Sequence, residues 1–301
     1  MAETRIDTES WILLLVLSVI WGGSFLFIGI AVKELPALLI VLARVSIAAA
    51  ILIPIHLAIQ GPLPRDSKTW IASGGMSIMN NVVPFTLISW GQHHIASGLA
   101  SVINATTPMF AALFMAMFAL EDITWRKAIA LALGFVGVVV LKGGGFGDLG
   151  VQTLGILAVI VASASYGLSA PWSKKRLTGT PPLTTATIQL TLSTIIMSVI
   201  VLLFSDLGEY RAASRETWLA LFLLAALSTS IAYLLFFRII ARSGPSFVSL
   251  VTMVIPVSAI LMGYFFLEER LTLNEILGAV IIGVALLIID GRALKWIGIR
   301  I

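Results

Sequence analysis

The sequence predicts an all-α polytopic membrane protein, with ten transmembrane helices arranged as two inverted five-helix repeats. The chain has 301 residues, of which 59% are hydrophobic and only 11% are charged, whereas about a quarter of a typical soluble domain is charged. A packed interior cannot hide this much apolar surface from water, so lipid must be the solvent. The spacing of the apolar runs predicts the number of helices, and an internal similarity predicts the repeats.

The apolar runs are long enough to cross a bilayer, since a helix needs about 20 mainly apolar residues to span the hydrocarbon core. Short breaks rich in Gly, Pro and charged residues separate them. Connections this short force neighbouring helices to run antiparallel. The predicted spans are 11–31, 37–59, 69–91, 97–119, 127–142, 153–173, 183–204, 216–237, 246–267 and 273–290.

The distribution of Lys and Arg predicts the orientation, because basic residues gather in the cytoplasmic loops of membrane proteins. With the N-terminus inside, thirteen basic residues face the cytoplasm, five face the opposite side, and Arg44 lies within a span. Both termini are therefore expected in the cytoplasm. The first apolar run is long enough to span, and we expect it to be a retained helix and not a cleaved signal.

Residues in the second half repeat those of the first half in the same order. An offset of 148 and, nearer the N-terminus, an offset of 145 pair Ser101 with Ser249, Pro108 with Pro256, Glu121 with Glu269, Thr124 with Thr272, Gly22 with Gly167, Ser24 with Ser169 and Trp21 with Tyr166. The predicted boundary separates residues 1–145 from residues 146–301, with five spans in each half. An odd number of spans makes the second copy enter the membrane from the other side, so the repeats are inverted.

Inverted repeats favour one mechanism over others. If the two halves can exchange conformations, the outward-open and inward-open states become near mirror versions of each other. This indicates alternating access and a site between the halves, and it names no substrate.

Four short motifs, in their order across ten helices, suggest a family. "WGGSF" (21–25), "YGLSAPW" (166–172), "EDIT" (121–124) and "ERLT" (269–272) resemble the EamA family of the drug/metabolite transporter superfamily, and the resemblance covers nearly the whole chain. It implies a ten-helix carrier of the bacterial inner membrane that exports amino acids and related metabolites. The aromatic amino-acid exporter branch is the most similar.

Polar and aromatic side chains in the middle of spans are the candidate site residues, because polar groups in lipid tend to face a water-filled cavity or a neighbouring helix. Asn80 and Asn81, just before Pro84, can bind the amino or carboxyl group of a solute or can join helices. The mid-span position of Trp21 and Tyr166 favours a cavity wall. The full candidate set for binding a small-molecule substrate is Trp21, Ser24, Arg44, Asn80, Asn81, Asn104, Tyr166, Ser169, Gln189, Thr229 and Tyr233.

Two charged features have two interpretations each. Arg44 can attract a substrate carboxylate or extend outward along its own stem to the membrane surface, and its counterpart in the second half is the neutral Gln189. Glu121 and Glu269 can latch a gate through Arg126 and Arg270. Alternatively, they can bind free amides at helix starts, where negative charge is favoured.

The missing groups limit the remaining functions. The chain has no cysteine, and all fifteen Asp and Glu residues fall in loops or near span ends. A proton-driven pump usually has a membrane-buried carboxylate, so facilitated export is expected. No catalytic residues, metal site, cofactor or nucleic-acid partner is predicted, and a monomer in the lipid bilayer suffices. The alternatives are efflux of drugs or cationic compounds and, in a different class, an intramembrane enzyme acting on lipids.

Overall fold

Ten long helices form the part of the chain that the computed structural model describes, residues 7–143 and 150–290. Within these residues every regular element is helical. The boundaries agree with the predicted spans to within a few residues at most ends. The helices are α1 (Thr8–Ala31), α2 (Ala37–Gln60), α3 (Ser67–Gln92), α4 (Ser97–Met117), α5 (Trp125–Lys142), α6 (Val151–Arg176), α7 (Pro182–Phe204), α8 (Arg215–Ser243), α9 (Val251–Leu267) and α10 (Leu273–Asp290).

The lengths and compositions of these helices are those of a membrane protein. Eight of the ten are long and apolar enough to cross a bilayer. Of the other two, α9 has 17 residues and α5 has 18, with basic residues close to both of its ends. Large apolar side chains such as Phe204 and Phe265 are more than 70% exposed, as expected where lipid replaces water around the protein.

The repeated Glu-x-x-Thr sequence is a turn whose threonine starts the next helix. Thr124 is the N-cap of α5 and accepts a hydrogen bond from the amide of Lys127 (3.3 Å). Thr272 does the same for the amide of Glu275 (3.4 Å), and the Glu275 carboxylate accepts from the Thr272 amide (2.6 Å). Both threonines satisfy donors that a helix start leaves unpaired.

The packing of the helices is nearly unchanged when the two halves are exchanged. α2 packs against α7, and α5 packs against α10, so each of these pairs joins corresponding helices. α1 packs against α8 and α9, while its counterpart α6 packs against α3 and α4. These contacts correspond between the two halves at the repeat offsets.

Both α3 and α8 contain one wider, π-helical turn, at Ile78–Val82 and Ala226–Ile231. The two turns coincide at the offset of 148. In α3, Pro84 follows the turn and cannot donate to a carbonyl four residues earlier. In α8 the hydroxyls of Thr229 and Ser230 bond the carbonyls of Leu224 (2.8 Å) and Ala225 (3.1 Å), each five residues back. Such turns inside helices are frequent at functional sites.

Two corresponding glycines allow close contacts between helices. A Cβ on Gly167 would lie 2.6 Å from the Cβ of Phe110 and 2.7 Å from the backbone nitrogen of Ala111 in α4. A Cβ on Gly22 would meet Ser258 and Ala259 of α9 in the same way, and these residues correspond to Phe110 and Ala111 at the offset of 148. Only a residue without Cβ fits at these two crossings.

We expect Gly167→Ala to destabilise the protein by about 1–3 kcal/mol, because the backbone of α4 must move to admit the methyl group. Thermal unfolding of the purified protein in detergent would measure this. Gly283→Ala is the matched control, since no atom lies within 4 Å of its added Cβ, and we expect no loss there. Equal melting temperatures for the two variants would contradict the close α4–α6 contact.

Candidate functional site

The hydroxyl of Tyr233 is the centre of a polar cluster in the middle of the bundle. It accepts hydrogen bonds from the side-chain amides of Asn80 (3.3 Å) and Gln189 (3.0 Å) and donates to Oδ1 of Asn81 (3.4 Å). The Asn81 amide donates in turn to the hydroxyl of Ser193 (3.0 Å). Asn81 is completely buried. One tyrosine therefore joins α8 to α3 and α7, at the level of the π-helical turn of α3.

Arg44 forms a second cluster with α3 and α8. Its Nε donates to Oγ1 of Thr229 (3.0 Å), and its Cζ lies 3.6 Å from the centroid of the Phe85 ring. The residue is 7% exposed, so the guanidinium does not extend to the membrane surface. No described carboxylate pairs with it, and neither terminal nitrogen donates a hydrogen bond to a described residue.

The two clusters correspond to each other when the halves are exchanged. Arg44 of α2 contacts Thr229 and Phe85, and Gln189 of α7 bonds Tyr233, which in turn bonds Asn81. The repeat offsets pair Arg44 with Gln189, Thr229 with Asn81 and Phe85 with Tyr233. Each half thus supplies the same arrangement of side chains, and the main chemical difference is one positive charge.

Trp21 and Tyr166, which correspond to each other, are both half-buried. The indole of Trp21 packs against Phe236 with a centroid distance of 5.5 Å. Tyr166 lies in electrostatic range of Arg44, and its hydroxyl makes no hydrogen bond within the described residues. Its side chain is partly exposed in the middle of α6, and its place in a cavity wall stays a prediction.

Besides Trp21 and Tyr166, three further predicted residues lie outside the two clusters. Ser24 and Ser169 bond the carbonyls of Trp21 (2.6 Å) and Tyr166 (2.7 Å) in their own helices, so their hydroxyls are already occupied. Asn104 is half-buried, and its Oδ1 is buried without a partner, but no described hydrogen bond joins it to Tyr233 or Arg44. Each of these two serine hydroxyls bonds a carbonyl three residues earlier in its own helix.

Phe85 and Ser193 belong to the clusters but were absent from the predicted set. The repeat offset that pairs Phe85 with Tyr233 is a signal in the sequence that indicates its position. Ser193 has no comparable signal, because it faces Ser77 and Asn81 only through the packing of α7 on α3.

Glu269 binds amides at a helix start, as one of the two interpretations predicts. Its carboxylate accepts hydrogen bonds from the amide of Ser97 (2.8 Å), from the Ser97 hydroxyl (2.7 Å) and from the amide of Gly98 (3.2 Å). It thereby connects the α9–α10 turn to the start of α4. Its counterpart Glu121 instead pairs with Lys127 (3.1 Å) and Lys174 (3.9 Å). Neither glutamate pairs with the predicted arginine, Arg126 or Arg270, within the described residues.

The profile of the EamA-like transporter family matches residues 9–142 and, a second time, residues 153–290. Because the two matches cover most of the chain, this protein belongs to the EamA-like transporter family, as the four motifs predict. It is a multi-pass membrane protein of a transporter family.

Relatives of similar length carry the same general description. The chain is 26% identical over 291 residues to the uncharacterized transporter YvbV of Bacillus subtilis, covering 95% of this chain and 93% of that protein. It is 24% identical over 280 residues to the uncharacterized inner membrane transporter YedA of Escherichia coli, covering 91% and 88%.

A third relative and one solved structure are also similar to this chain. A probable terminal-alkyne amino-acid exporter of Streptantibioticus cattleyicolor is 27% identical over 185 residues, covering 58% of this chain and 59% of that protein. One solved structure, titled only as the crystal structure of a protein, has a TM-score of 0.65 at 17% identity, covering 92% of this chain and 96% of that one. That likeness shows the fold.

We expect Tyr233→Phe to lower the stability of the protein by about 1–3 kcal/mol, because the half-buried amide of Asn80 and the buried amide of Gln189 lose the oxygen to which they donate. Tyr264→Phe is the control, since Tyr264 is 52% exposed on α9. Thermal unfolding in detergent would compare the two. A Tyr233→Phe variant as stable as Tyr264→Phe would contradict the central role of this hydroxyl.

Proposed function

We propose that this protein exports small organic solutes, amino acids and related metabolites, across the bacterial inner membrane by alternating access. The observation that carries the proposal is the polar and aromatic cluster around Tyr233 and Arg44, which both halves of the chain build at corresponding positions. A membrane protein without a solute to bind has no need for such groups in the middle of its spans. The relative described as an amino-acid exporter supports the solute class.

The helices fall into two groups that can move against each other. One group is α1, α8 and α9, and the other is its counterpart, α6, α3 and α4. Ion pairs of Glu9 with Arg238 (2.7 Å) and Arg242 (2.9 Å) hold α1 to α8 within the first group. The Tyr233 cluster lies where the two groups meet, which is where an alternating-access site belongs.

On the predicted external side the two groups are in contact. The side-chain amide of Gln92 at the end of α3 donates to the carbonyl of Phe25 in α1 (2.9 Å). Glu269 binds the start of α4, and a Cβ on Gly98 would lie 3.1 Å from Ile260 of α9. α1 also packs against α3 and α4. These contacts close the external path to the cluster.

The corresponding contacts on the predicted cytoplasmic side are missing from the described residues. The symmetry counterpart of the packing of α1 on α3 and α4 would be packing of α6 on α8 and α9. In the described residues α6 does not pack comparably on α8 or α9. Glu121 pairs with Lys127 and Lys174 and not with the start of α9. We therefore interpret this conformation as inward-open, with both termini in the cytoplasm.

The proposed transport is facilitative, driven by the gradient of the solute. Every Asp and Glu among the described residues lies in a loop or near a helix end. A coupling proton usually needs a carboxylate or histidine near the substrate. Among the described residues His56, near the end of α2, is buried. Its ring bonds the hydroxyl of Thr184 at the start of α7 (3.0 Å), away from the Tyr233 cluster.

Uptake by the purified protein in liposomes would test the proposal. We expect saturable uptake of labelled aromatic or small neutral amino acids without a pH gradient, and we expect Asn81→Ala and Trp21→Ala to reduce it by about tenfold or more because a buried hydrogen bond or a stacking surface is lost. Ile195→Ala on the outer face of α7, where Ile195 is 56% exposed, is the control. No uptake of any amino acid by the wild type would refute this solute class.

Removing the Glu269 carboxylate should shift the protein toward the outward-open state. Glu269→Ala leaves the amides of Ser97 and Gly98 without their partner, which weakens the external closure. The chain has no cysteine, so a single Ile260→Cys substitution reports on this side. We expect a membrane-impermeant maleimide added outside to label it several times faster in the Glu269→Ala background. An unchanged rate, with Glu268→Ala as the matched control, would count against the closure.

A further inference from the structure

Arg44 is a buried cation that the described protein leaves incompletely satisfied. The residue lies two turns into α2, is 7% exposed, and uses only Nε for a hydrogen bond, to a neutral hydroxyl. The Phe85 ring covers one face of the guanidinium. A buried charge without an opposite charge carries a large desolvation cost. Such a cost persists where function requires the charge.

We infer that the transported solute carries a carboxylate and that Arg44 binds it through its two free terminal nitrogens. The inference rests on the proposed transport function and adds to it the chemical group that the site selects. A guanidinium matches a carboxylate in a planar, bidentate geometry. The nearby hydroxyl of Tyr166, which has no partner within the described residues, can donate to the same carboxylate.

Gln189, the counterpart of Arg44 in the other half, makes the two sides of the site chemically different. Gln189 occupies the place of Arg44, is 3% exposed, and its Oε1 is buried with no hydrogen-bond partner in the described residues. One side of the site therefore offers a cation and the other a neutral acceptor. A zwitterion or an anion fits this arrangement. A cation that lacks a carboxylate is repelled by Arg44 and has no acid to offset that repulsion, so the site disfavours cationic drugs.

A structural role is the competing explanation, in which Arg44 only ties α2 to α8 through Thr229. The two explanations differ in the stability of the protein without solute. If Arg44 serves the solute, Arg44→Met removes an unpaired buried charge and keeps the volume, so the melting temperature should be equal to or above that of the wild type. If Arg44 is a structural tie, the melting temperature should fall.

The experiment uses three probes with one side chain: phenylalanine, phenylpyruvate and phenylalaninamide. The first two carry a carboxylate, and the third is a cation without one. Each is tested as a substrate for uptake into proteoliposomes and, separately, as a ligand that raises the melting temperature of the purified protein. The proteins are wild type, Arg44→Met, Arg44→Lys, and Arg211→Gln, an exposed arginine between α7 and α8, as the charge control.

We expect wild type and Arg211→Gln to bind at least one carboxylate probe and not the amide. Arg44→Met should weaken that binding by at least about tenfold, the size expected for a charge-assisted hydrogen bond. Arg44→Lys should retain part of it, because a point charge remains without the bidentate geometry. Binding of the amide as strong as that of the acids, binding that is unchanged in Arg44→Met, or no response to either carboxylate probe would overturn the inference.

The failure of this inference can be told from the failure of the proposed amino-acid export. Phenylpyruvate transported in an Arg44-dependent manner, with no transport of phenylalanine, refutes amino-acid export and supports the carboxylate site. Transport of phenylalanine and its amide at equal rates, together with a lower melting temperature of Arg44→Met, supports export and refutes the carboxylate site.

Discussion

Polar groups within a bilayer have no water to bond, and this constraint organises the protein from its helix ends to its centre. Where the wider turns of α3 and α8 loosen the backbone, hydroxyls of Thr229 and Ser230 bond the freed carbonyls. In the middle of the bundle, the Tyr233 hydroxyl satisfies amides from two other helices. The polar centre is thereby stable without solvent, and the groups left over are those available to a solute.

The protein combines near-symmetry with two departures from it. The pairing of helices, the π-helical turns and the glycine contacts repeat in both halves. The first departure is chemical, since the place of Arg44 in the first half is taken by neutral Gln189 in the second. The second is conformational, since Glu269 binds the start of α4 while Glu121 binds lysines. In the proposed alternating-access mechanism, this symmetry makes two exchangeable conformations comparable in energy, and the charge of Arg44 orients the proposed solute.

Much of the candidate site was predictable because of this repeat. Asn81 and Thr229 are polar at matching mid-span positions, Tyr233 matches Phe85, and the structure brings these residues into the two clusters. Ser24 and Ser169 matched each other equally well, yet both bond their own helix. The sequence pattern identifies polar positions inside the membrane but cannot distinguish a hydroxyl that faces a neighbouring helix from one that bonds a carbonyl three residues back.

The sequence by itself determined the all-helical membrane fold and the approximate boundaries of the ten helices, because apolar run length and turn residues are local properties that lipid enforces. Only the tertiary structure decided which of the corresponding groups meet. The direction of Arg44, toward Phe85 and Thr229 and not toward the surface, depends on the packing of α2 between α3 and α8. The contact of Glu269 with Ser97, 172 residues away in the chain, depends in the same way on helices that only the folded bundle brings together.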